Sequence, residues 1–399
     1  MLKPNMHYAE LKDSYLFYHI AQKVDAYQQA HPGTHLYRMG IGDVSRPLCD
    51  AVIRALHEAV DDQASAERFH GYMPECGAPS LRQTIADHYR RRGVVLAPDE
   101  VFVSSGASDE LGDIHDLFDA DCSAMIMEPT YPAYVDANVI EGRKLVYLSS
   151  GRENGFLPDP CEEAKADILY ICSPNNPTGA VYTREKLQRW VDFANEHGSV
   201  ILFDAAYEAY IEDEELPHSI FEIDGAGTCA IEICSLSKTA GFTGTRLGYT
   251  VIPKELVRNG MSLNDMWVRS RTTKTNGVSY ILQMGGAAVF TEEGQKQIRK
   301  DIAFYKENAR ILMDALDRAG IWYCGGKNAP YIWLHCPNGM DSWTFFDCLL
   351  NTIQVVGTPG AGFGASGAEF FRFSTFGSRE DTLKAAEQLV KLADAGFRS

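Results

Sequence analysis

The 399 residues carry 37 basic against 54 acidic side chains, a net charge of −17 that repels phosphate backbones and sets nucleic acid aside as a partner. That length is enough for two or three domains with cores of their own. No stretch approaches the ~20 apolar residues of a membrane span, residues 1–8 lack the apolar core of a secretory leader, and the ten cysteines form neither a C-x-x-C pair nor a zinc-spaced set, so a cytoplasmic protein with no membrane partner and no metal is expected.

Residues 1–40 carry aromatics, among them Tyr8, Tyr15, Phe17 and Tyr18, without a strand pattern of their own, which predicts an arm that packs on the rest of the chain. A helix is predicted from about Ser80 to Arg92, stopped by Gly93. Six short apolar runs then alternate with amphipathic stretches: Val101–Val103, Ala124–Met127, Leu145–Leu148, Ile168–Ile171, Val200–Phe203 and Ala230–Cys234. Most read as buried on both faces, the pattern of parallel strands covered by helices on either side. Between two of them, Leu187, Trp190, Val191 and Ala194 recur at helical spacing, predicting a crossover helix from Arg184 to His197 that Gly198 ends. After residue 280 a long charged amphipathic stretch, Glu293–Ala319, precedes strand-like segments at Tyr331–His335 and Phe370–Ser374. The expected class is α/β, with an arm (1–40), a large domain with a mostly parallel sheet (41–280) and a smaller α+β domain (281–399).

Four segments carry chemistry. Ser235-Leu236-Ser237-Lys238 directly follows a buried strand, and a lysine there faces the crevice where such sheets bind ligands, where a lowered pKa lets an amine form a Schiff base. Ser235, Ser237 and Arg246 around it suit a phosphate, although alone the segment fits a solvated Gly/Thr-rich loop equally well. Asp204 ends another strand, with Tyr207 three residues on; a carboxylate there suits a cofactor whose ring nitrogen must stay protonated, whereas in isolation a helix cap is the better reading. Ser173-Pro174-Asn175-Asn176-Pro177-Thr178-Gly179 predicts a rigid turn that aims Asn176 at the same crevice. Near the C-terminus Arg372 stands inside an apolar strand, where its planar fork matches a carboxylate and where, taken alone, a structural salt bridge is the simpler account. Gly362-Phe363-Gly364-Ala365-Ser366-Gly367 fits G-x-G-x-x-G after a strand-like Ile353–Val356, but a strand follows it where a dinucleotide site needs a helix.

In this order these segments resemble the fold-type I, class I and II pyridoxal 5'-phosphate-dependent aminotransferases over nearly the whole chain. The resemblance implies Lys238 as the cofactor-bearing lysine and proton shuttle, Asp204 on the pyridine nitrogen, and Asn176 with Tyr207 on the ring hydroxyl. It implies Arg246, Ser235, Ser237 and the backbone of Ala107 and Ser108 on the phosphate, Tyr131 stacked on the ring, and Arg372 as the clamp on the substrate α-carboxylate, with Tyr131 and Asn176 also facing the substrate.

Local stretches around Gly40–Asp43, Gly71–Gly77, Lys238–Gly244 and Asn276–Tyr280 are similar to the subfamily that acts on LL-diaminopimelate with 2-oxoglutarate, a step of lysine biosynthesis. That likeness implies a homodimer with shared sites, in which Tyr15, Gly42, Tyr72, Glu75 and Asn276 contribute to substrate binding, Tyr72 to the cofactor as well, and Glu75 offers an anion to the distal ammonium. One position departs: where the subfamily carries Gly-Ala-Lys, this chain has Gly106-Ala107-Ser108, which removes a cation from the substrate's far carboxylate. The rivals are an aminotransferase for aromatic, small or other dicarboxylic amino acids, a lyase using the same cofactor, and a regulator built on this fold, against which the acidity and the absence of a leading DNA-reading segment argue.

Overall fold

The computed structural model describes residues 2–11, 16–40 and 42–397. All six apolar runs are strands of one sheet: β1 (Val101–Ser104), β2 (Ala124–Glu128), β3 (Leu145–Ser149), β4 (Ile168–Cys172), β5 (Val200–Asp204) and β6 (Ala230–Ser235). A seventh, β7 (Gly248–Val251), completes the order β1-β7-β6-β5-β4-β2-β3. It runs antiparallel to both neighbours, β1 and β6, while the remaining pairs are parallel. The central strands β4, β5 and β6 are buried along their full length, as expected for strands covered on both faces, whereas the edge strand β3 is half exposed.

The crossover helix spans Arg184–His197, begins on a Thr183 cap and stops where Gly198 takes left-handed backbone at φ +72°. Its apolar face, led by Trp190, closes one core layer against β4 and β5. The helix expected near residue 80 runs Pro79–Arg90, opened by proline at its first position.

A second sheet of β8 (Tyr323–Gly325), β9 (Tyr331–His335), β10 (Thr358–Pro359) and β11 (Phe370–Ser374) is antiparallel throughout, in the order β8-β9-β11-β10. Helices Ser342–Ile353 and Arg379–Asp394 cover it, and Phe345, Phe346, Leu349 and Leu389 fill the space between. The long helix Glu292–Arg318 joins the two cores: Ile298, Ile302 and Tyr305 belong to the first, Leu312, Ala315 and Leu316 to the second. The helix Leu16–Ala30 places Val24 in the second core, and Tyr37–Arg38 pairs in parallel with Val355–Val356.

The strand-like reading of Ile353–Val356 needs correction. Ile353 is the last residue of a helix, and Gln354 turns left-handed at φ +57°, leaving only Val355–Val356 extended. After the glycine-rich run the chain enters β11, so no helix follows Gly367 and the dinucleotide geometry is absent there.

Candidate active site

A cavity of about 420 Å³ opens at the carboxyl ends of β4, β5 and β6 and is closed on its far side by the small sheet. This is the crevice that parallel strands feed. Strand β6 ends at Ser235, whose hydroxyl caps the short helix Leu236–Ala240 by accepting the Ser237 amide at 3.1 Å. Lys238 sits in that turn, which Gly241 ends at φ +81°. Its Nζ donates to the carbonyl of Gly42. Burial lowers its pKa to about 8; Asp43 opposes that shift, while Arg372 and Arg246 add to it.

Asp204 ends β5 beside it, buried, with Oδ1 accepting the Ala206 amide at 2.9 Å and Oδ2 accepting the Tyr134 hydroxyl. Burial raises the carboxyl above its ordinary range, and the two hydrogen bonds resist. Among the described residues no cation pairs with it, so this carboxylate stands in the cavity wall with its charge unmet. Tyr207 meets the hydroxyl of Tyr331 at 3.0 Å, and the two rings pack edge to face.

On the opposite side lies a basic corner. Arg246 holds a left-handed backbone at φ +64°, uncommon for a residue with a side chain, and its Nη1 donates to Ser237 Oγ at 3.3 Å and to the Thr243 carbonyl at 3.2 Å. Room for the guanidinium comes from Gly106, where a Cβ would stand 2.6 Å from Nη2. Ala107 and Ser108 follow directly and open the helix Ala107–Asp113, both lining the cavity.

Arg372 occupies the centre of β11, 1 % exposed, opposite Trp333 of β9 and Thr358 of β10. Nη1 donates to Asn176 Oδ1 at 2.6 Å and Nη2 to the Gly40 carbonyl at 2.9 Å, while Nε has no partner among the described residues. The rings of Tyr331 and Phe363 lie 4.3 Å and 5.0 Å from the guanidinium carbon. A structural salt bridge is not what holds it, because among the described residues no carboxylate pairs with Arg372. Asn176 reaches it from the turn after β4, where Gly179, at φ +68°, lies too close to the Tyr331 carbonyl for any Cβ.

Twelve of the residues singled out in the sequence therefore line one cavity: Gly42, Ala107, Ser108, Tyr131, Asn176, Asp204, Tyr207, Ser235, Ser237, Lys238, Arg246 and Arg372. Tyr72, Glu75 and Asn276 do not. Tyr72 is 88 % exposed, Asn276 is exposed and Glu75 half-buried, yet their two loops meet, since Gly277 packs against the carbonyls of Met73 and Pro74. Tyr15 lies outside the described residues. Sequence reasoning missed Asp43, Tyr134 and Tyr331. Tyr134 had a usable signal, standing three residues beyond Tyr131, which precedes the helix Pro132–Ile140 as its N-cap.

A mostly parallel sheet with one antiparallel member, a lysine and a carboxylate at adjoining strand ends, and an arginine contributed from a second sheet define the fold-type I aminotransferases. The chain belongs to the aminotransferase class I and II family, whose sequence profile matches residues 34–389. It is 50% identical to an LL-diaminopimelate aminotransferase of Lachnospira eligens, covering 98% of this chain and 100% of that one. It is 49% identical to one of Lawsonia intracellularis, covering 98% and 99%. Among solved structures, the L,L-diaminopimelate aminotransferase of Chlamydomonas reinhardtii superposes with a TM-score of 0.92 at 39% identity, over 99% of this chain and 98% of that one.

Proposed function

We propose that this enzyme is a pyridoxal 5'-phosphate-dependent LL-diaminopimelate:2-oxoglutarate aminotransferase, interconverting LL-diaminopimelate and 2-oxoglutarate with tetrahydrodipicolinate and glutamate. The observation that carries the chemistry is a set of charges sharing one cavity without ion-pair partners among the described residues: a buried carboxylate, Asp204, two guanidiniums, Arg246 and Arg372, and an amine poised near neutrality, Lys238. Each suits one part of the coenzyme or its substrate. Asp204 offers a counter-charge to a protonated ring nitrogen, Asn176 and Tyr207 offer hydrogen bonds to a ring hydroxyl, and Tyr131 offers a face for stacking. Arg246 with Ser235 and Ser237 offers donors to a phosphate, supplemented by the amides of Ala107 and Ser108. When bound, the coenzyme supplies an electron sink that makes the substrate α-hydrogen acidic. Lys238, with its pKa near 8, can then take that proton and return it, while Arg372 grips the α-carboxylate of donor and acceptor alike.

The substrate assignment is supported by the full-length likeness to enzymes of that name. The exposure of Tyr72 and Asn276, with the meeting of their loops, supports a homodimer in which these residues and Glu75 serve the partner subunit's cavity. Separate cores beneath the two sheets support the division into large and small domains, with the N-terminal arm packed on the small one. A cytoplasmic location fits the ten free cysteines, and among the described residues no helix is long and apolar enough to cross a membrane.

The deciding experiment is a panel of amino donors scored by glutamate formation, run on the wild type and on Ser108→Lys. Diaminopimelate turnover is expected in the wild type. The lysine variant is expected to raise kcat/KM for diaminopimelate by about 10- to 150-fold, the worth of one hydrogen bond to a charged group, and to leave donors with apolar side chains unchanged. A wild type inactive on diaminopimelate but active on another donor overturns the assignment.

A second expectation concerns Tyr134. Tyr134→Phe leaves one Asp204 oxygen bare inside the protein, so the carboxyl takes up its proton more readily and serves less well as a counter-charge. Coenzyme affinity, followed by absorbance titration, should fall about tenfold or more.

A further inference from the structure

We infer that Tyr331 is a positioning residue that joins the coenzyme side of the cavity to the substrate side: its hydroxyl fixes the direction of the Tyr207 hydrogen bond, and its ring seats the Arg372 guanidinium. The inference rests on the reading of Tyr207 as a donor to the coenzyme's ring hydroxyl and of Arg372 as the carboxylate clamp. Tyr331 opens β9, paired with Ser374 of β11. Its backbone is closely held, since its carbonyl accepts the Gly326 amide at 2.8 Å and the approach of Gly179 leaves no room there for a Cβ. The side chain is buried and lines the cavity. Its hydroxyl meets that of Tyr207 at 3.0 Å, its ring centre lies 4.3 Å from the Arg372 guanidinium carbon, and the ring of Phe376 packs against it edge to face at 6.1 Å. One side chain from the small sheet therefore touches both a residue that follows β5 and a residue of β11.

A phenol hydroxyl has one proton to give and can also accept. Among the described residues the hydroxyls of Tyr207 and Tyr331 have only each other as hydrogen-bond partners, so one donates within the pair and the other keeps its proton for a third group. Arg372 decides which. Its positive charge lies against the Tyr331 ring, and among the described residues no cation stands over Tyr207. Burial raises both phenols; Arg372 and the bond to Tyr207 pull Tyr331 back, whereas the neighbouring Tyr331 pushes Tyr207 further up. Cys172 from the end of β4, Asp204 from the end of β5 and Tyr131 from beyond β2 also face the pair, and each disfavours ionisation. Tyr331, the more acidic of the two, donates, and the Tyr207 proton is left to point into the cavity. A bond donated into Tyr207 polarises its hydroxyl and strengthens the bond that Tyr207 donates onward.

The test titrates the visible absorbance of the coenzyme-loaded enzyme against pH, which follows the proton held between the Lys238 nitrogen and the ring oxygen of the coenzyme. A donor to that oxygen favours its anionic form and lowers the midpoint. Tyr207→Phe should therefore raise the midpoint by about one to two pH units, and Tyr331→Phe by about 0.3 to 0.6 of a unit. On the Tyr207→Phe background, Tyr331→Phe should add no further shift, because it acts through the hydroxyl already removed. Tyr331→Phe keeps the ring and should hold KM for donor and acceptor within about twofold, whereas Tyr331→Leu takes the ring from Arg372 and should raise both by about three- to thirtyfold. An unshifted midpoint in Tyr331→Phe, a shift that survives without the Tyr207 hydroxyl, or a wild-type KM in Tyr331→Leu overturns the inference. Borohydride fixation of the coenzyme to Lys238 in the wild type is scored first. Its absence removes the parent reading and the inference together, whereas its presence with an unshifted Tyr331→Phe removes the inference alone.

Discussion

Replacing Lys238 with alanine is expected to lower turnover by at least ~10⁴-fold, because in the proposed reaction one side chain would supply both the covalent anchor and the proton relay. The environment explains why this lysine suits the task. An exposed lysine with a pKa near 10.4 is about 0.4% neutral at pH 8, whereas one titrating near pH 8 is about half neutral. Burial produces that shift, and Arg372 and Arg246 reinforce it against Asp43. The loss should therefore appear as a fall in kcat, with donor binding largely retained through Arg372. Two measurements check it: glutamate formation at saturating donor, and borohydride reduction of the loaded enzyme followed by peptide mapping. Wild type should carry the coenzyme on the peptide containing residue 238, and the variant on no peptide. A variant within tenfold of wild type would mean that another amine does the work.

Much of this site could be read from the sequence because each element carries its own local signal. The run Val200–Phe203 is too apolar and too short for anything but a buried strand, so Asp204 had to stand at a strand end; Gly198 marked the helix before it. Phe370–Ser374 read as a strand for the same reason, which made Arg372 conspicuous as a charge inside it. Strand β7 escaped because four residues beginning with glycine give little periodicity. Its place is set by tertiary contact, since a Cβ on Gly248 would lie 2.6 Å from the Cys234 carbonyl and 2.9 Å from Gly106 Cα. Asp43 and Tyr331 escaped for a related reason. Nothing near them in sequence shows that the strap after Arg38 and the strand Tyr331–His335 converge on the helix that carries Lys238. Local periodicity reports which face of an element is buried, and it does not report which elements meet.

Arg372→Leu is expected to raise KM for amino donor and keto-acid acceptor together, by about 10²- to 10⁴-fold, the worth of two charge-assisted hydrogen bonds. The argument starts from cost. A guanidinium out of water without a counter-ion costs several kcal/mol, and here the neutral partners Asn176 and Gly40 and two aromatic faces meet only part of its hydrogen-bonding need, leaving Nε bare. Such a site is completed by an anion entering the cavity. Because donor and acceptor both present an α-carboxylate, both half-reactions should suffer equally, unlike the effect of residue 108, which should fall on the distal carboxylate of diaminopimelate alone. Arg372→Lys keeps the charge but loses the planar fork, so it should recover part of the affinity and remain well short of wild type. Single-turnover kinetics of each half-reaction separate the two contributions. Were Arg372→Leu to bind both substrates normally, the α-carboxylate would have to be gripped elsewhere, and the placement of the substrate beside Lys238 would need to be redrawn.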